Sequence, residues 1–181
     1  MRPRRLLVIL AALAAGLVGY ALGTRAPLPP WPAAPVGASG LSLGSELPDP
    51  LLADLAGRPR RLSEWRGVPL LINFWASWCA PCVEELPLLA EFDRAHPELT
   101  VLAIALDEPE AAAALLARLG LGELTALAGG AAGFELSRRL GNRFGALPFS
   151  ALVDREFRLR ERRLGPLDRR TLEDWQRRVS P

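Results

Sequence analysis

The chain has 181 residues, half of them hydrophobic, with 22 basic and 20 acidic side chains and a formal net charge of +2 at pH 7. This length suits one domain with a hydrophobic core and additional material at one end. Four basic residues, Arg2, Arg4, Arg5 and Arg25, lie in or beside an N-terminal apolar segment, so 18 basic residues remain against 20 acidic ones. The remainder is slightly acidic and its arginine pairs are scattered, which argues against a nucleic-acid-binding protein.

Residues 1–25 are predicted to form a signal anchor or a signal peptide. Residues 6–23 are all apolar or small, and arginines precede them. A basic start followed by ~18 apolar residues is typical of export, and the positive-inside rule keeps the arginines in the cytoplasm. Small residues at 21–23 would permit cleavage, whereas the length suits an uncleaved span, and we favour the anchor. Residues 26–40, rich in Pro and Ala, are predicted to form a semi-extended linker.

Residues 41–181 alternate short strands with helices, which predicts an α/β domain with a mixed sheet. Leu70–Trp75 is a nearly all-apolar run, as expected for a strand buried on both faces. A helix is predicted from Pro81, with a kink at Pro87 because proline has no N–H to donate to the carbonyl of Val83. The other predicted elements are a hairpin over 51–62, strands over 100–106, 124–127, 149–153 and 157–161, and helices over 109–119, 134–140 and 167–179.

The stretch FWASWCAPCVEELPLL (residues 74–89) contains the only two cysteines, Cys79 and Cys82. At a strand-to-helix junction, Cys79 would lie at the helix N-terminus, whose free N–H groups stabilise a thiolate. Cys82 would lie on the same helical face, where a disulfide closes with little backbone movement. The pattern therefore predicts a redox-active pair in which Cys79 attacks a disulfide and Cys82 resolves the mixed disulfide.

Other roles for the cysteine pair fit the sequence less well. A structural zinc ion needs four ligands, and the two cysteines with the single histidine, His96, supply three. A purely structural disulfide around so short a loop would stabilise little through loop entropy. A soft copper site formed by both cysteines and His96 stays open as an alternative.

Two further residues are candidates for the site. Glu85 lies three residues after Cys82 on the same helical face, where a carboxylate would accept the proton of Cys82. A solvated surface charge is the alternative interpretation of Glu85. Pro148 opens a predicted strand, and a trans bond is the default for any single X-Pro peptide.

The sequence resembles the TlpA/ResA-like branch of thioredoxin-fold thiol–disulfide oxidoreductases, which are exported bacterial proteins often tethered to the membrane. The resemblance rests on DLAGRPRRLSEWRGVPLLINFWASWCAPCVEELPLL (residues 54–89), TVLAIALD (100–107), FGALPFSALVD (144–154) and LGPLDRRTLEDW (164–175). It covers nearly all of the predicted domain. It implies a thioredoxin fold, with a mixed central sheet flanked by helices.

The resemblance also implies roles for individual residues. Cys79 would be the exposed nucleophile, Cys82 its buried partner and Glu85 the catalytic acidic residue near them. Pro148 would be a cis-proline that faces the cysteines, and Leu147 would offer its backbone to a substrate strand. The implied substrate-binding residues are Trp78, Ala80, Pro81, Leu147, Pro148 and Phe149.

Two departures from the family pattern bear on the substrate. The family usually follows the cis-proline with Thr-Thr-Phe or a similar sequence, whereas Phe149-Ser150-Ala151 follows here, so Phe149 is expected to change the shape of the groove. The Gly-Ala-Pro-Glu-Thr stretch common in the DsbE-related subgroup of cytochrome maturation is absent from the sequence. Asn73 occupies the position where cytoplasmic thioredoxins carry a buried Asp, which favours Glu85 as the proton acceptor.

The resulting expectation is a protein thiol–disulfide oxidoreductase that reduces disulfides of extracytoplasmic proteins, with cytochrome c maturation and copper-protein assembly as its candidate tasks. Its redox centre would be the disulfide of Cys79 and Cys82, without a metal or another cofactor. Electrons would come from a membrane redox protein, since a reductant in an oxidising compartment must be re-reduced. The domain would lie in the bacterial periplasm, anchored in the inner membrane or free if the signal is cleaved. The alternatives are a disulfide oxidase or isomerase, and a copper-binding chaperone with His96 close to the cysteines.

Overall fold

A computed structural model of the chain describes residues 40–179. The predicted export segment and nearly all of the predicted linker lie outside the described residues. Within residues 40–179, no helix is both long enough and apolar enough to cross a membrane.

Residues 40–179 contain seven strands, four α-helices and one short 3-10 helix. The strands are β1 (Leu51–Asp54), β2 (Pro59–Arg61), β3 (Leu70–Trp75), β4 (Thr100–Ala105), β5 (Ala126–Ala128), β6 (Phe149–Val153) and β7 (Leu159–Leu164). The helices are α1 (Ala80–Ala95), α2 (Pro109–Arg118), α3 (Gly130–Arg139) and α4 (Arg169–Val179), and the 3-10 helix is Leu62–Trp65.

All seven strands form one mixed sheet in the order β2-β1-β5-β4-β3-β6-β7. Strands β3, β4 and β5 run parallel, whereas β6 and β7 on one side and β1 and β2 on the other are antiparallel to their neighbours. Every residue of β3 is buried, because this strand lies inside the sheet between β4 and β6. The predicted α/β fold with a mixed sheet flanked by helices is confirmed.

The sheet separates two hydrophobic cores. One core joins β3 and β4 to helices α1, α2 and α4, and it includes both cysteines. The other joins the opposite side of the sheet to α3 and the 3-10 helix. Successive side chains of a strand point to opposite faces, so β3 contributes Leu71 and Trp75 to the first core and Ile72 and Phe74 to the second.

Several predicted boundaries differ from the structure. The predicted strand over 157–161 is β7, Leu159–Leu164, because Phe157 belongs to a turn in which its N–H donates to the carbonyl of Asp154. The predicted helix over 134–140 begins four residues earlier, at Gly130. The short strand expected over 124–127 is Ala126–Ala128, since the N–H of Leu124 closes a turn onto Leu121.

The ends of the other predicted elements shift by one or two residues. Helix α1 begins one residue before Pro81 and continues through Pro87. Helix α4 begins at Arg169 rather than at Leu167, because Asp168 precedes it and its carboxylate accepts the N–H of Thr171 at 2.8 Å. The 3-10 helix is not among the predicted elements.

Candidate active site

The dithiol lies at the N-terminus of helix α1, as the sequence predicts. Cys79 has an extended backbone (φ −88°, ψ 96°), and its carbonyl accepts the first helical N–H, that of Val83, at 3.1 Å. Cys79 and Cys82 form a disulfide across a Cα–Cα distance of 5.3 Å. Pro81 is the second residue of the helix, where a missing N–H leaves no helical carbonyl without a donor. The pair therefore sits where free N–H groups and the helix dipole favour a thiolate.

Only one of the two cysteines reaches the surface. Cys79 retains 6% of its accessible area, whereas Cys82 retains none. Trp78, immediately before the pair, is 71% exposed, and Ala80 and Pro81 are exposed as well. A thiolate of another protein can therefore approach Cys79 and cannot reach Cys82.

Strand β6 brings Pro148 to the same end of the sheet as the dithiol. Phe74 of β3 pairs with Phe149 of the antiparallel strand β6, so Pro148 lies across from Trp75, where the chain turns towards Cys79. The Leu147–Pro148 peptide bond is cis, as the resemblance implies. Neither backbone group of Leu147 has a hydrogen-bond partner among residues 40–179, so both groups are available to an added strand.

Glu85 is buried, so its interpretation as a solvated surface charge is wrong. It retains 4% exposure one helical turn after Cys82. Its Oε1 accepts the side-chain N–H of Asn73 at 2.7 Å, and its Oε2 accepts the backbone N–H of Leu167 at 2.8 Å. Burial raises the pKa of Glu85 despite these hydrogen bonds, because the charged form loses its hydration. A carboxyl group with a raised pKa is a better proton acceptor once it is ionised.

Asn73 extends this buried polar group to strand β6. Its side-chain N–H also donates to the hydroxyl of Ser150 at 3.0 Å. The contacts of Asn73 and Glu85 thus join β3, β6, α1 and the segment before α4. Sequence reasoning did not identify Ser150 or Leu167, because 77 and 82 residues separate these partners and no local pattern marks them.

Asp107 holds the segment that precedes the dithiol. It follows strand β4, and its Oδ2 accepts the backbone N–H of Ser77 at 2.6 Å. Ser77 lies two residues before Cys79, so the neighbouring parallel strand restrains the entry to the site. The sequence marks Asp107 only as a polar residue at the carboxyl end of a buried strand.

Asn142 holds the loop that leads to Pro148. Its Nδ2 donates to the carbonyl of Ala146 at 2.9 Å, and its Oδ1 accepts the N–H of Ala146 at 3.0 Å. The same Nδ2 also donates to the hydroxyl of Ser137 at 2.9 Å. Asn142 is 3% exposed, and its bond to Ser137 is buried, whereas the two bonds to Ala146 are part-buried. We refer to the pair of bonds to Ala146 as the Asn142 clamp.

The expectation that Phe149 shapes the groove is wrong for its side chain. Phe149 is fully buried, and its ring packs against Phe74 at a centroid distance of 6.0 Å. It belongs to the core on the sheet face opposite the cysteines, since the side chain next to Pro148 in β6 points away from them.

His96 lies at the far end of helix α1 from the cysteines. It follows the last helical residue, its ring packs on Phe92 at 4.3 Å, and its Nδ1 lies 3.3 Å from Glu98. It lies fourteen positions after Cys82 along the helix direction, or about 21 Å at the usual rise of 1.5 Å per residue. The copper site that requires His96 beside the cysteines is therefore contradicted. Over residues 40–179, no cluster of three or more His, Cys, Asp or Glu side chains could hold a metal ion.

The sequence is similar to one protein-family model and to several curated thiol–disulfide oxidoreductases. The Redoxin family model matches residues 42–176. The chain is 34% identical over 112 residues to the thiol-disulfide oxidoreductase ResA of Geobacillus kaustophilus, a match that covers 61% of the chain and 57% of that protein. It is 27% identical over 146 residues to ResA of Bacillus thuringiensis, with 78% and 80% covered.

A solved structure is similar over nearly its full length. It is a putative thiol:disulfide interchange protein DsbE from Chlorobium tepidum, with a TM-score of 0.67 and 25% sequence identity. The match covers 77% of this chain and 99% of that one. Among curated relatives, by contrast, the chain spans about half the length of two Geobacillus ResA proteins, 42% and 57%.

Proposed function

The chain belongs to the redoxin family, and from this we propose that it is an exported thiol–disulfide oxidoreductase that reduces disulfides of extracytoplasmic proteins. The observation that carries the proposal is the disulfide of Cys79 and Cys82 at the N-terminus of α1, with a buried carboxyl group one turn further on. Thioredoxin-fold oxidoreductases use such a disulfide as their redox centre and need no external cofactor.

The proposed reaction begins with the reduced protein. The Cys79 thiolate attacks one sulfur of the partner's disulfide, which forms a mixed disulfide and releases the partner's other sulfur as a thiolate. Cys82 then loses its proton to the Glu85 carboxylate and attacks the sulfur of Cys79. This second step releases the partner's remaining thiolate and closes the disulfide between Cys79 and Cys82, so that two electrons have passed to the partner.

The proposed substrate groove lies between the dithiol and the cis-proline loop. Leu147 would pair through its free backbone groups with an extended segment of the partner, as in strand addition to a sheet edge. Trp78, Ala80 and Pro81 would form the opposite wall, since all three are exposed beside Cys79. In this arrangement the partner's disulfide is presented to the cysteine that reaches the surface.

The proposed location is the bacterial periplasm, with residues 1–25 as an inner-membrane anchor or as a cleaved signal. An oxidising compartment returns the dithiol to its disulfide form, so a membrane redox protein would supply electrons. Cytochrome c maturation and copper-protein assembly are the two proposed tasks. The support for export is the apolar segment with its preceding arginines.

Trapping of mixed disulfides tests the proposal. In a C82S variant the mixed disulfide on Cys79 has no resolving thiol, so partner proteins should stay covalently attached until dithiothreitol releases them. Identification of the released proteins would name the substrates and decide between the two tasks. A C79S/C82S variant is the matched control. If C82S captured no protein beyond those found with C79S/C82S, the proposed exchange would be contradicted.

The redox potential tests the direction of electron flow. A reductase should equilibrate with glutathione near the reducing end of the range of thioredoxin-like proteins, which extends from about −270 to about −120 mV. A potential near −120 mV would indicate a disulfide oxidase instead.

A further inference from the structure

We propose that a basic and aromatic surface beside the cis-proline loop binds an acidic segment of the protein whose disulfide is reduced. We call it the basic–aromatic surface and define it by Phe134 and Arg138 of helix α3 and by Arg143 and Phe144 of the following loop. The inference rests on the proposed function, because it concerns the partner that occupies the same groove.

The basic–aromatic surface lies within reach of a bound substrate strand. Arg143 and Phe144 precede Pro148 by five and four residues, so the Cα atom of Phe144 lies within about 14 Å of that of Pro148. An extended segment of five residues spans about 17 Å. A partner paired with the backbone of Leu147 can therefore extend onto this surface.

The loop that carries these residues is held in one shape. The Asn142 clamp fixes Ala146 at two points, and Gly145 has a φ of +63°, which few side chains tolerate. A Cβ atom at Gly145 would lie 2.6 Å from the ring of Phe134, so the backbone contacts this ring directly. Such a loop loses little conformational entropy on binding, as favourable recognition requires.

The surface carries positive charge without internal compensation. A cleft of about 250 Å³ is lined by Glu135, Arg138, Arg139, Arg143 and Phe144. Its glutamate already pairs with Arg139 at 3.1 Å, which leaves an excess of two positive charges. Over residues 40–179, neither Arg138 nor Arg143 forms an ion pair with an acidic side chain.

The aromatic rings add apolar contact area beside this charge. Phe144 is 73% exposed and Phe134 is 43% exposed, and the Arg143 guanidinium lies 5.9 Å from the centroid of the Phe144 ring. Exposed aromatic residues with arginine are enriched at protein interfaces, and arginine binds carboxylates through two parallel hydrogen bonds. The chemistry that complements this surface is an extended peptide segment with Asp or Glu beside apolar residues.

The experiment compares two synthetic peptides that each contain one intramolecular disulfide and differ only in their flanking residues, Asp and Glu in one and Ser in the other. The reduced protein is mixed with each peptide, and the second-order rate constant of peptide reduction is measured at 50 and 500 mM NaCl. Each rate is divided by the rate with dithiothreitol, which removes differences in the reactivity of the disulfides. Each turnover transfers two electrons, so the peptide gains two thiols while Cys79 and Cys82 form their disulfide.

We expect the protein to reduce the acidic peptide about fivefold faster than the neutral one at low salt, which corresponds to ~1 kcal/mol. The ratio should approach one at 500 mM NaCl, because salt screens exposed charges. In R138E/R143E the ratio should fall below one. The control R118E/R155E should keep the ratio, since Arg118 lies in the last turn of a helix, as Arg138 does, and Arg155 lies in a loop, as Arg143 does. Both control arginines are exposed and form no ion pair among the described residues.

A wild-type ratio of one, or an unchanged ratio in R138E/R143E with an unchanged urea midpoint, would overturn the inference while leaving the proposed function intact. A ratio of one together with arginine-dependent binding to anionic phospholipid vesicles would assign the surface to the membrane instead and also overturn it. If the wild-type protein reduced neither peptide, the proposed function would fail and the inference with it.

Discussion

Glu85 shows how burial changes what one carboxyl group can do. On an exposed helix face it would be a hydrated charge, whereas here it is enclosed with Asn73 and the N–H of Leu167 as its partners. The two hydrogen bonds satisfy both carboxylate oxygens, and burial still raises the pKa of the group because the charge is removed from water.

The first prediction concerns the chemistry of Glu85. In E85Q the resolving step should slow by about 10²-fold, because glutamine cannot accept the proton of Cys82. The attack by Cys79 should proceed as before, so the mixed disulfide with a model peptide should accumulate in rapid-quench mass spectra. E84Q, with its exposed side chain one residue earlier, is the control. Equal resolving rates in the two variants would contradict the proposed role of Glu85 as the proton acceptor.

The second prediction concerns the pH dependence of stability. Since the folded-state pKa of Glu85 lies above its ordinary value of 4.5, the folded protein holds this proton more tightly than the unfolded chain does. The stabilisation is complete below about pH 4.5 and is lost as the pH rises through the raised pKa. The unfolding free energy of oxidised E85Q minus that of the oxidised wild type should therefore increase between pH 4 and pH 8. Urea denaturation measures this difference, and a constant value would contradict the prediction.

The third prediction concerns Asn142, whose amide group makes two bonds to the same residue. N142A should lower the unfolding free energy by about 1–3 kcal/mol, because Ala146 and Ser137 lose buried partners. It should also raise KM for a peptide disulfide while the equilibrium constant with glutathione stays unchanged, since none of the side-chain hydrogen bonds of Asn142 reaches the segment that carries the cysteines. S137A removes only one of the three contacts and should have a smaller effect. A shifted glutathione equilibrium in N142A would show that the clamp acts on the dithiol as well.

At the scale of elements, helix α1 and strand β4 cooperate to place the dithiol. Cys79 lies at the N-terminus of the helix. Asp107, which follows the strand, accepts a hydrogen bond from Ser77, two residues before Cys79. The parallel pairing of β3 and β4 ends at the register Trp75 with Ala105, so the segments that follow both strands emerge side by side. Sequence patterns identify each element, whereas only this pairing brings Asp107 to Ser77.

The fourth prediction tests this tie between elements. D107A should lower the unfolding free energy by about 2 kcal/mol, because it removes a charge-assisted hydrogen bond to the N–H of Ser77. D107N retains an acceptor oxygen and should lose less than half of that amount. Urea denaturation of the oxidised proteins gives both values. Equal losses in the two variants would mean that charge, rather than the hydrogen bond, stabilises the segment.

Elements whose type depends on packing were the least predictable. Helix α3 begins at Gly130 and includes Gly133, although glycine is among the weakest helix formers. A Cβ atom at Gly133 would lie 3.2 Å from the side chain of Ile104, so glycine permits a close approach of α3 to β4. Phe157 was predicted to begin a strand because it is apolar. In the structure it is fully buried but lies in the turn before β7, with a φ of 63°.

For the whole molecule, the redox state of the dithiol is linked to folding. If the folded protein favours the disulfide more than the unfolded chain does, the oxidised form must be the more stable one by the same free energy. For two electrons, each 30 mV corresponds to about 1.4 kcal/mol.

The fifth prediction follows from this linkage. If this protein is a reductant, its oxidised form should have a larger unfolding free energy than its reduced form. The difference should be about 1.4 kcal/mol for every 30 mV by which the potential of the folded protein lies below that of the same cysteine pair in the unfolded chain. Urea denaturation of both forms under argon measures the difference. A more stable reduced form would indicate an oxidant, and it would contradict the proposed direction of electron flow.

The sequence by itself determined the elements and residues that depend on local patterns. The run of apolar residues over Leu70–Trp75 identified the central strand, and the spacing of Cys79 and Cys82 before a helix identified the redox pair, because helix geometry alone places both on one face. The predicted bounds of β3 and β6 agree with the structure residue for residue. The roles of Trp78, Ala80, Pro81 and Leu147 in substrate binding stay predictions.

Only the tertiary structure decided the contacts between residues that are distant along the chain. It showed Glu85 buried against Asn73 and Leu167, Asp107 bonded to Ser77, and the side chain of Phe149 turned into the opposite core. Burial and hydrogen-bond partners are properties of the assembled sheet and helices, since each depends on which strands become neighbours. A local pattern specifies the type of element, whereas the surroundings of its side chains are set by the elements that pack against it.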